Sequence, residues 1–97
     1  METKKNDQVT TEKIKKYREI SSKALAIAKI NINKGKEKEA KEIIEMVSCY
    51  LSDSEYFEKQ KDLVNTFAAL NYAHGWIDCG ARLGIFNVKD RKLFTVD

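Results

Sequence analysis

The sequence predicts an all-α protein, a three-helix antiparallel up-and-down bundle with a short C-terminal tail folded back on it. Apolar residues recur at spacings of three and four along three segments of about twenty residues each, the period of an amphipathic helix. The chain contains no proline and only four glycines, so little interrupts a long helix. The breaks between the segments are short, and short connections make consecutive helices antiparallel neighbours. The 97 residues fit one domain, spanning 1–97.

The first helix is predicted to begin at Thr10 or Thr11 and to end at the turn 33–35. Residues 1–9 are polar and without period, so we expect them to be frayed. A threonine hydroxyl accepts one of the unpaired amide hydrogens of a helix N-terminus. Gly35 suits the left-handed conformation that commonly closes a helix. The predicted inward face consists of Ile14, Tyr17, Ser21, Ala24, Leu25, Ala28 and Ile32.

The second helix is predicted to begin near Glu37 and to run for about twenty residues, with a continuation or a kink at residues 52–54. Its inward face consists of Ala40, Ile43, Ile44, Val47, Tyr50, Leu51, Ser54 and Phe57. The break at 60–62 separates it from the third helix, for which Asp62 is the candidate N-cap. That third helix is predicted to run from Leu63 to about Leu83.

The third predicted helix is apolar almost all round, and such a helix is usually buried on nearly every side. We therefore expect the other two helices to cover it, together with the tail or a second copy of the chain. A glycine costs roughly 1 kcal/mol against alanine in a helix interior, so several glycines indicate that a neighbour needs the room. The candidate interface or packing residues are Tyr72, Gly75, Trp76, Gly80 and Gly84, of which Gly84 is also a candidate helix end.

The residues after the third helix, 85–97, contain six apolar side chains among thirteen positions, unlike a typical disordered tail. We expect an ordered tail that folds back over the bundle and is extended at residues 93–96. Residues 88–91 have the composition of a turn.

Asn71, His74, Asp78 and Arg82 form the polar line of the third helix and are the candidate polar network or ligand site. His74 and Asp78 are four residues apart and therefore share one helix face. A carboxylate beside an imidazole suits general-base catalysis, but no activated nucleophile stands out in the sequence. A buried hydrogen-bond network that joins two helices explains the same residues. Because nothing forces a reaction type, no catalytic residue is assigned, and whether the protein is an enzyme stays open.

Composition excludes several classes of protein. Cys49 and Cys79 form no CxxC pair and share the chain with one histidine, so we expect no metal site and place both cysteines in or near the core. No apolar run approaches the ~20 residues that span a bilayer, and no leader is visible, so the expected location is the cytoplasm. No cofactor is indicated. Residues 1–41 carry twelve Lys/Arg against six Asp/Glu, which suggests an acidic partner, nucleic acid or only a solvated helix face.

A long run in the third helix has a specific pattern. The segment 62–86 reads DLVNTFAALNYAHGWIDCGARLGIF and follows Tyr50, Asp53, Tyr56 and Phe57 at the spacing Y-x-x-D-x-x-Y-F. It resembles the archaeal family called domain of unknown function 357, with Cys79 where alanine is common. The resemblance implies an archaeal source and a three-helix bundle, and it implies no enzyme activity.

The sequence therefore favours a non-enzymatic protein-interaction module, with self-association suggested by the all-round apolar helix. The alternative is a nucleic-acid binding protein, with RNA as the expected ligand of the basic first half. A third hypothesis is similarity to RNA-cleaving helical nucleotide-binding domains, whose catalytic members place an arginine four to six residues before a histidine. No arginine precedes His74 at that distance.

Overall fold

The computed structural model describes residues 8–91 and 93–94 and contains three α-helices in that part of the chain. They are α1 (Thr11–Lys29), α2 (Glu37–Lys59) and α3 (Leu63–Arg82). The described residues form no strand, and one isolated antiparallel bridge joins Ile32 to Phe86. The predicted all-α bundle is confirmed. The frayed segment predicted for 1–9 lies mostly outside the described residues, and residues 8 and 9 precede α1 without regular structure.

Two helices begin at N-cap residues that the sequence predicts. The Thr10 hydroxyl accepts a hydrogen bond from the Lys13 amide at 3.1 Å, and the Asp62 carboxylate accepts one from the Asn65 amide at 3.1 Å. These bonds satisfy amide groups that have no partner within the helix. Between α2 and α3 the chain turns through Lys61, at φ 61°, and only three residues separate the two helices.

Helix α1 ends at Lys29, earlier than the turn 33–35 that the sequence predicts. The backbone beyond it pairs with the tail: the Asn33 amide donates to Ile85 O at 3.0 Å and the Asn87 amide to Asn31 O at 2.6 Å. These bonds replace the helical ones that a longer α1 would make. Gly35 does adopt a left-handed conformation, at φ 87°, within the turn before α2.

Helix α2 runs unbroken through residues 52–54, as in the predicted continuation. The Ser54 hydroxyl bonds the carbonyl of Leu51, three residues earlier, at 2.6 Å. The hydroxyl therefore has a hydrogen-bond acceptor within its own helix.

The core lies where the inward faces of the three helices meet the tail. Its α3 contribution is a single row of small and branched residues at helical spacing. The fully enclosed residues are Ala24, Ala28, Ala40, Val47, Ala73 and Ile77, with Phe86 and Phe94 closing the end of the bundle. Ser21, Ser54 and Thr66 are the buried polar residues of the described chain.

Helix α3 is buried on one face only, which corrects the expectation that it is hidden on nearly every side. Val64, Tyr72 and Leu83 are 69%, 61% and 67% exposed, and Trp76 is 39% exposed. Two helices cover less than the full circumference of a third, and the tail packs on the buried side of α3, where Phe86 lies against Gly80.

The tail folds back over the bundle, as predicted, and Gly84 ends the turn after α3 at φ 76°. The ring of Phe86 packs so closely on Gly80 that no side chain fits between them. Leu93 and Phe94 lie in a turn and a bend, so the expectation of extended chain there is wrong. Residues 92 and 95–97, which belong to the same predicted segment, lie outside the described residues.

Candidate functional site

Three of the four predicted polar residues lie in one open cleft between α1 and α3. Asn71, His74 and Asp78 line it from α3, and Tyr17 and Ser21 line it from α1. The cleft has a volume of about 320 Å³. The side chains of His74 and Asp78 are each about a quarter exposed. The polar line is therefore neither sealed between the helices nor fully in solvent.

Within this cleft, Ser21, His74 and Asp78 lie in a row. The Ser21 hydroxyl is 3.4 Å from His74 Nδ1, and His74 Nε2 is 3.6 Å from Asp78 Oδ1. The first distance is at the outer limit of a hydrogen bond, and the second exceeds it. Sequence reasoning missed Ser21 as the partner of His74, although a small polar residue on an otherwise apolar inward face was the available signal.

This row has the composition of a Ser-His-Asp triad but not its geometry. Ser21 is only 1% exposed and lies in the middle of α1, where the backbone amides donate within the helix. A nucleophilic serine needs substrate access and nearby free amides to hold the developing oxyanion. The arrangement is instead suited to joining α1 to α3 through a polar contact.

Arg82 is separated from the other three residues of the predicted line. It is exposed and lines a different, larger cleft, between the end of α3 and the tail. That cleft has a volume of about 600 Å³, and Lys89 and Arg91 line it from the tail. The predicted site thus divides into an α1–α3 cleft and a basic tail cleft.

Exposed and half-buried apolar residues lie along the outward face of α3, and we call this surface the α3 stripe. The exposed Asn65 lines a groove with two of them, Ala68 and Tyr72. The stripe consists of Val64, Ala68, Tyr72, Gly75, Trp76, Cys79 and Leu83. On its α2 side, Tyr72 stacks on Tyr50 with ring centroids 5.4 Å apart. Also on that side, Glu39 and Glu42 line a groove with Trp76 and Leu83. The predicted packing residues therefore separate: Gly80 packs inside, whereas Tyr72, Gly75 and Trp76 face outward.

Both cysteines are free thiols on the surface, which corrects the expectation that they lie in or near the core. Cys79 belongs to the α3 stripe. Within residues 8–91 and 93–94, no group of three or more His, Cys, Asp or Glu side chains is arranged to hold a metal ion.

A polar anchor between α1 and α2 was not predicted from the sequence. Arg18 donates to the hydroxyl of the fully buried Ser54 at 2.8 Å and to Glu58 Oε1 at 2.6 Å. The signal that could have revealed it is again a serine on an apolar inward face. In the described part of the chain, every buried side-chain nitrogen and oxygen has a hydrogen-bond partner.

The sequence profile of a family described as protein of unknown function (DUF357) matches residues 16–86. The chain belongs to this family. The match includes all of α2 and α3, and it ends before Lys89 and Arg91 of the basic tail cleft. The resemblance inferred from the segment 62–86 is thereby confirmed.

No curated protein and no solved structure matches the chain. Among the described residues of this DUF357 member, none of the helices combines the length and apolar character needed to cross a membrane.

Proposed function

We propose that this protein is a non-enzymatic self-association module, in which a second copy of the chain docks on the α3 stripe. The observation that carries the proposal is the exposure of large apolar side chains along one line from Val64 to Leu83. The nineteen steps from Val64 to Leu83 correspond to roughly 28 Å at 1.5 Å per residue. Contiguous exposed apolar surfaces of this kind mark interaction sites more often than scattered single residues do.

The different charges of the helices on either side of the stripe support a second copy of the chain as the partner that docks there. Helix α1 carries six Lys/Arg against two Glu, α2 carries three Lys against seven Asp/Glu, and α3 carries one of each. The stripe runs between a basic helix and an acidic helix, since the α1–α3 cleft borders it on one side and the α2–α3 groove on the other.

A two-fold axis parallel to α3 would place α1 of each copy over α2 of the other. Opposite charges would then meet along both rims, and the two copies would use the same surface, as cyclic dimers do. An axis perpendicular to α3 would instead place α1 over α1 and align like charges. The charge distribution therefore favours the parallel arrangement of the two α3 helices.

Gly75 supports close contact at the centre of the stripe. A Cβ added at Gly75 would meet no atom of the described residues within 4 Å, so no neighbour in that part of the chain requires a glycine here. Its absent side chain leaves room for the approach of another helix, as small residues do at helix interfaces in general.

The test uses all 97 residues and measures the mass of the particles that the protein forms in solution. Light scattering or analytical ultracentrifugation gives this mass from micromolar to millimolar concentration. We expect a concentration-dependent dimer that Leu83→Lys weakens. The matched control is Ile30→Lys, because Ile30 is 81% exposed but lies at the end of α1, outside the stripe. A mass of one chain at every concentration, or equal weakening by both variants, would overturn the proposal.

Nucleic-acid binding is a second candidate, favoured by the excess positive charge of α1. Lys15, Lys16 and Lys23 are exposed on that helix. If they contact phosphates, RNA affinity falls steeply with salt, because binding releases counterions. Fluorescence anisotropy of a labelled RNA at low and physiological salt provides the test, and affinity that does not change with salt would rule the candidate out.

A further inference from the structure

We infer that the basic tail cleft binds a small phosphate-bearing molecule. This cleft is distinct from the α3 stripe and lies where α3, the α1–α2 loop and the tail meet. Its charged lining residues are Arg82, Lys89 and Arg91, and its polar ones are Asn33 and Asn87. Among the described residues that line it there is no aspartate or glutamate.

The arginines indicate a phosphate. The chain has fifteen lysines and only three arginines, and two of those arginines, Arg82 and Arg91, line this cleft. The third, Arg18, is engaged with Ser54 and Glu58. A guanidinium presents its donors as a planar fork that matches two phosphate oxygens at once, whereas a lysine acts as a point charge.

The backbone around the cleft is fixed before any ligand arrives. The Asn33 side-chain amide donates to Gly84 O at 2.7 Å, and the Asn87 amide donates to Asn31 O at 2.6 Å. Phe86 is anchored against Gly80 and is almost fully buried. The segments that carry Arg82 and Lys89 are therefore held in place on both sides of the opening, which lowers the entropic cost of binding.

The C-terminus of α3 opposes phosphate binding at this cleft, because the carbonyl end of a helix disfavours an anion. Three of its last four carbonyls are already occupied: Cys79 O accepts from Leu83, Ala81 O accepts from Gly84, and Gly80 O accepts from Ile85 and Phe86. Three side-chain cations then exceed the partial negative charge that remains. The volume of about 600 Å³ is that of a small-molecule site and not of an open track for a polymer.

The experiment is a ¹H–¹⁵N NMR titration of the full-length protein with pyrophosphate at low salt. We expect saturable shifts at Arg82, Gly84, Asn87, Lys89 and Arg91. Because a hydrogen bond to a charged group contributes about 1.5–3 kcal/mol, the double variant Arg82→Gln/Arg91→Gln should raise Kd by about tenfold or more. Lys59→Gln, an exposed lysine at the end of α2 that does not line this cleft, should leave Kd unchanged. Arg82 and Arg91 are exposed, so we expect the variant to fold normally. Its NMR spectrum without ligand, compared with that of the unaltered protein, checks this.

A short single-stranded RNA, titrated separately, distinguishes the source of the phosphate. Shifts confined to the cleft, with pyrophosphate displacing the RNA, support the proposal. RNA shifts that spread along the α1 lysines without displacement by pyrophosphate would overturn it, as would equal affinity of the double variant and the unaltered protein. The double variant should form a dimer at the same concentrations as the unaltered protein, because neither Arg82 nor Arg91 belongs to the stripe. Loss of phosphate binding can therefore be distinguished from loss of self-association.

Discussion

The phenyl ring of Phe86 lies directly against the backbone of Gly80, where an added Cβ would come within 2.5 Å of ring atom Cε2. The same Cβ would lie 3.1 Å from Ile43 Cδ1. Both neighbours are buried, so neither can easily move away. Gly80 is therefore the point at which the tail closes on the bundle, whereas Gly75 in the same helix faces open space.

This difference predicts opposite effects for the same substitution at two positions of α3. Gly80→Ala should destabilise the protein by about 1–2 kcal/mol, because overpacking outweighs the gain in helix propensity. Gly75→Ala should stabilise it by about 0.5–1 kcal/mol, because only the propensity changes. Urea denaturation at low micromolar concentration, where association is minimal, measures both. A stabilised Gly80→Ala variant would show that the Phe86 ring can move aside.

The hydrogen bonds of Arg18 predict that its buried partner, Ser54, contributes more to the free energy of unfolding than its exposed partner, Glu58. Arg18→Met should cost about 1–2 kcal/mol, because the fully buried hydroxyl of Ser54 loses a charged donor. Glu58→Gln should cost no more than about 1 kcal/mol, since Glu58 is nearly half exposed and such ion pairs contribute little. A double-mutant cycle of both variants by denaturation gives the coupling energy. Equal losses from the two single variants would contradict this account.

The caps and periodicity of the sequence were enough to locate the helices. Thr10 and Asp62 are short polar side chains directly before apolar periodic runs, and both act as caps. The end of α1 was placed too late, because it is set by pairing with residues 85–87, more than fifty positions away in the chain. Local patterns carry no information about such a distant partner.

The candidate site was predictable only in part, for a related reason. His74 and Asp78 share a helix face by their spacing, but Ser21 joins them only through the packing of α1 on α3. An all-round apolar helix also gives no periodic signal of which side faces the core. The exposure of Tyr72 and Trp76 therefore had to come from the three-dimensional structure.

The loose contact between Ser21 and His74 predicts a mild response to loss of the hydroxyl. Ser21→Ala should change the free energy of unfolding by less than about 1 kcal/mol, because a contact of 3.4 Å is a weak hydrogen bond. Ser21→Leu should be more harmful, by about 1–3 kcal/mol, because the residue is fully buried. Thermal and urea denaturation compare the two. A loss above 2 kcal/mol for the alanine variant would mean that the polar contact is far stronger than its distance implies.

The position of Cys79 in the α3 stripe predicts that its reactivity reports on self-association. In a Cys49→Ser background, Cys79 is the remaining thiol, and it is exposed in the single chain. Its rate of reaction with a thiol-specific disulfide reagent should fall as protein concentration rises, because a docked second copy excludes the reagent. Adding Leu83→Lys should remove this dependence, and adding Ile30→Lys should preserve it. A rate that is the same across the concentration range of the mass measurements would show that Cys79 stays uncovered, and the stripe would then not be the surface on which two copies meet.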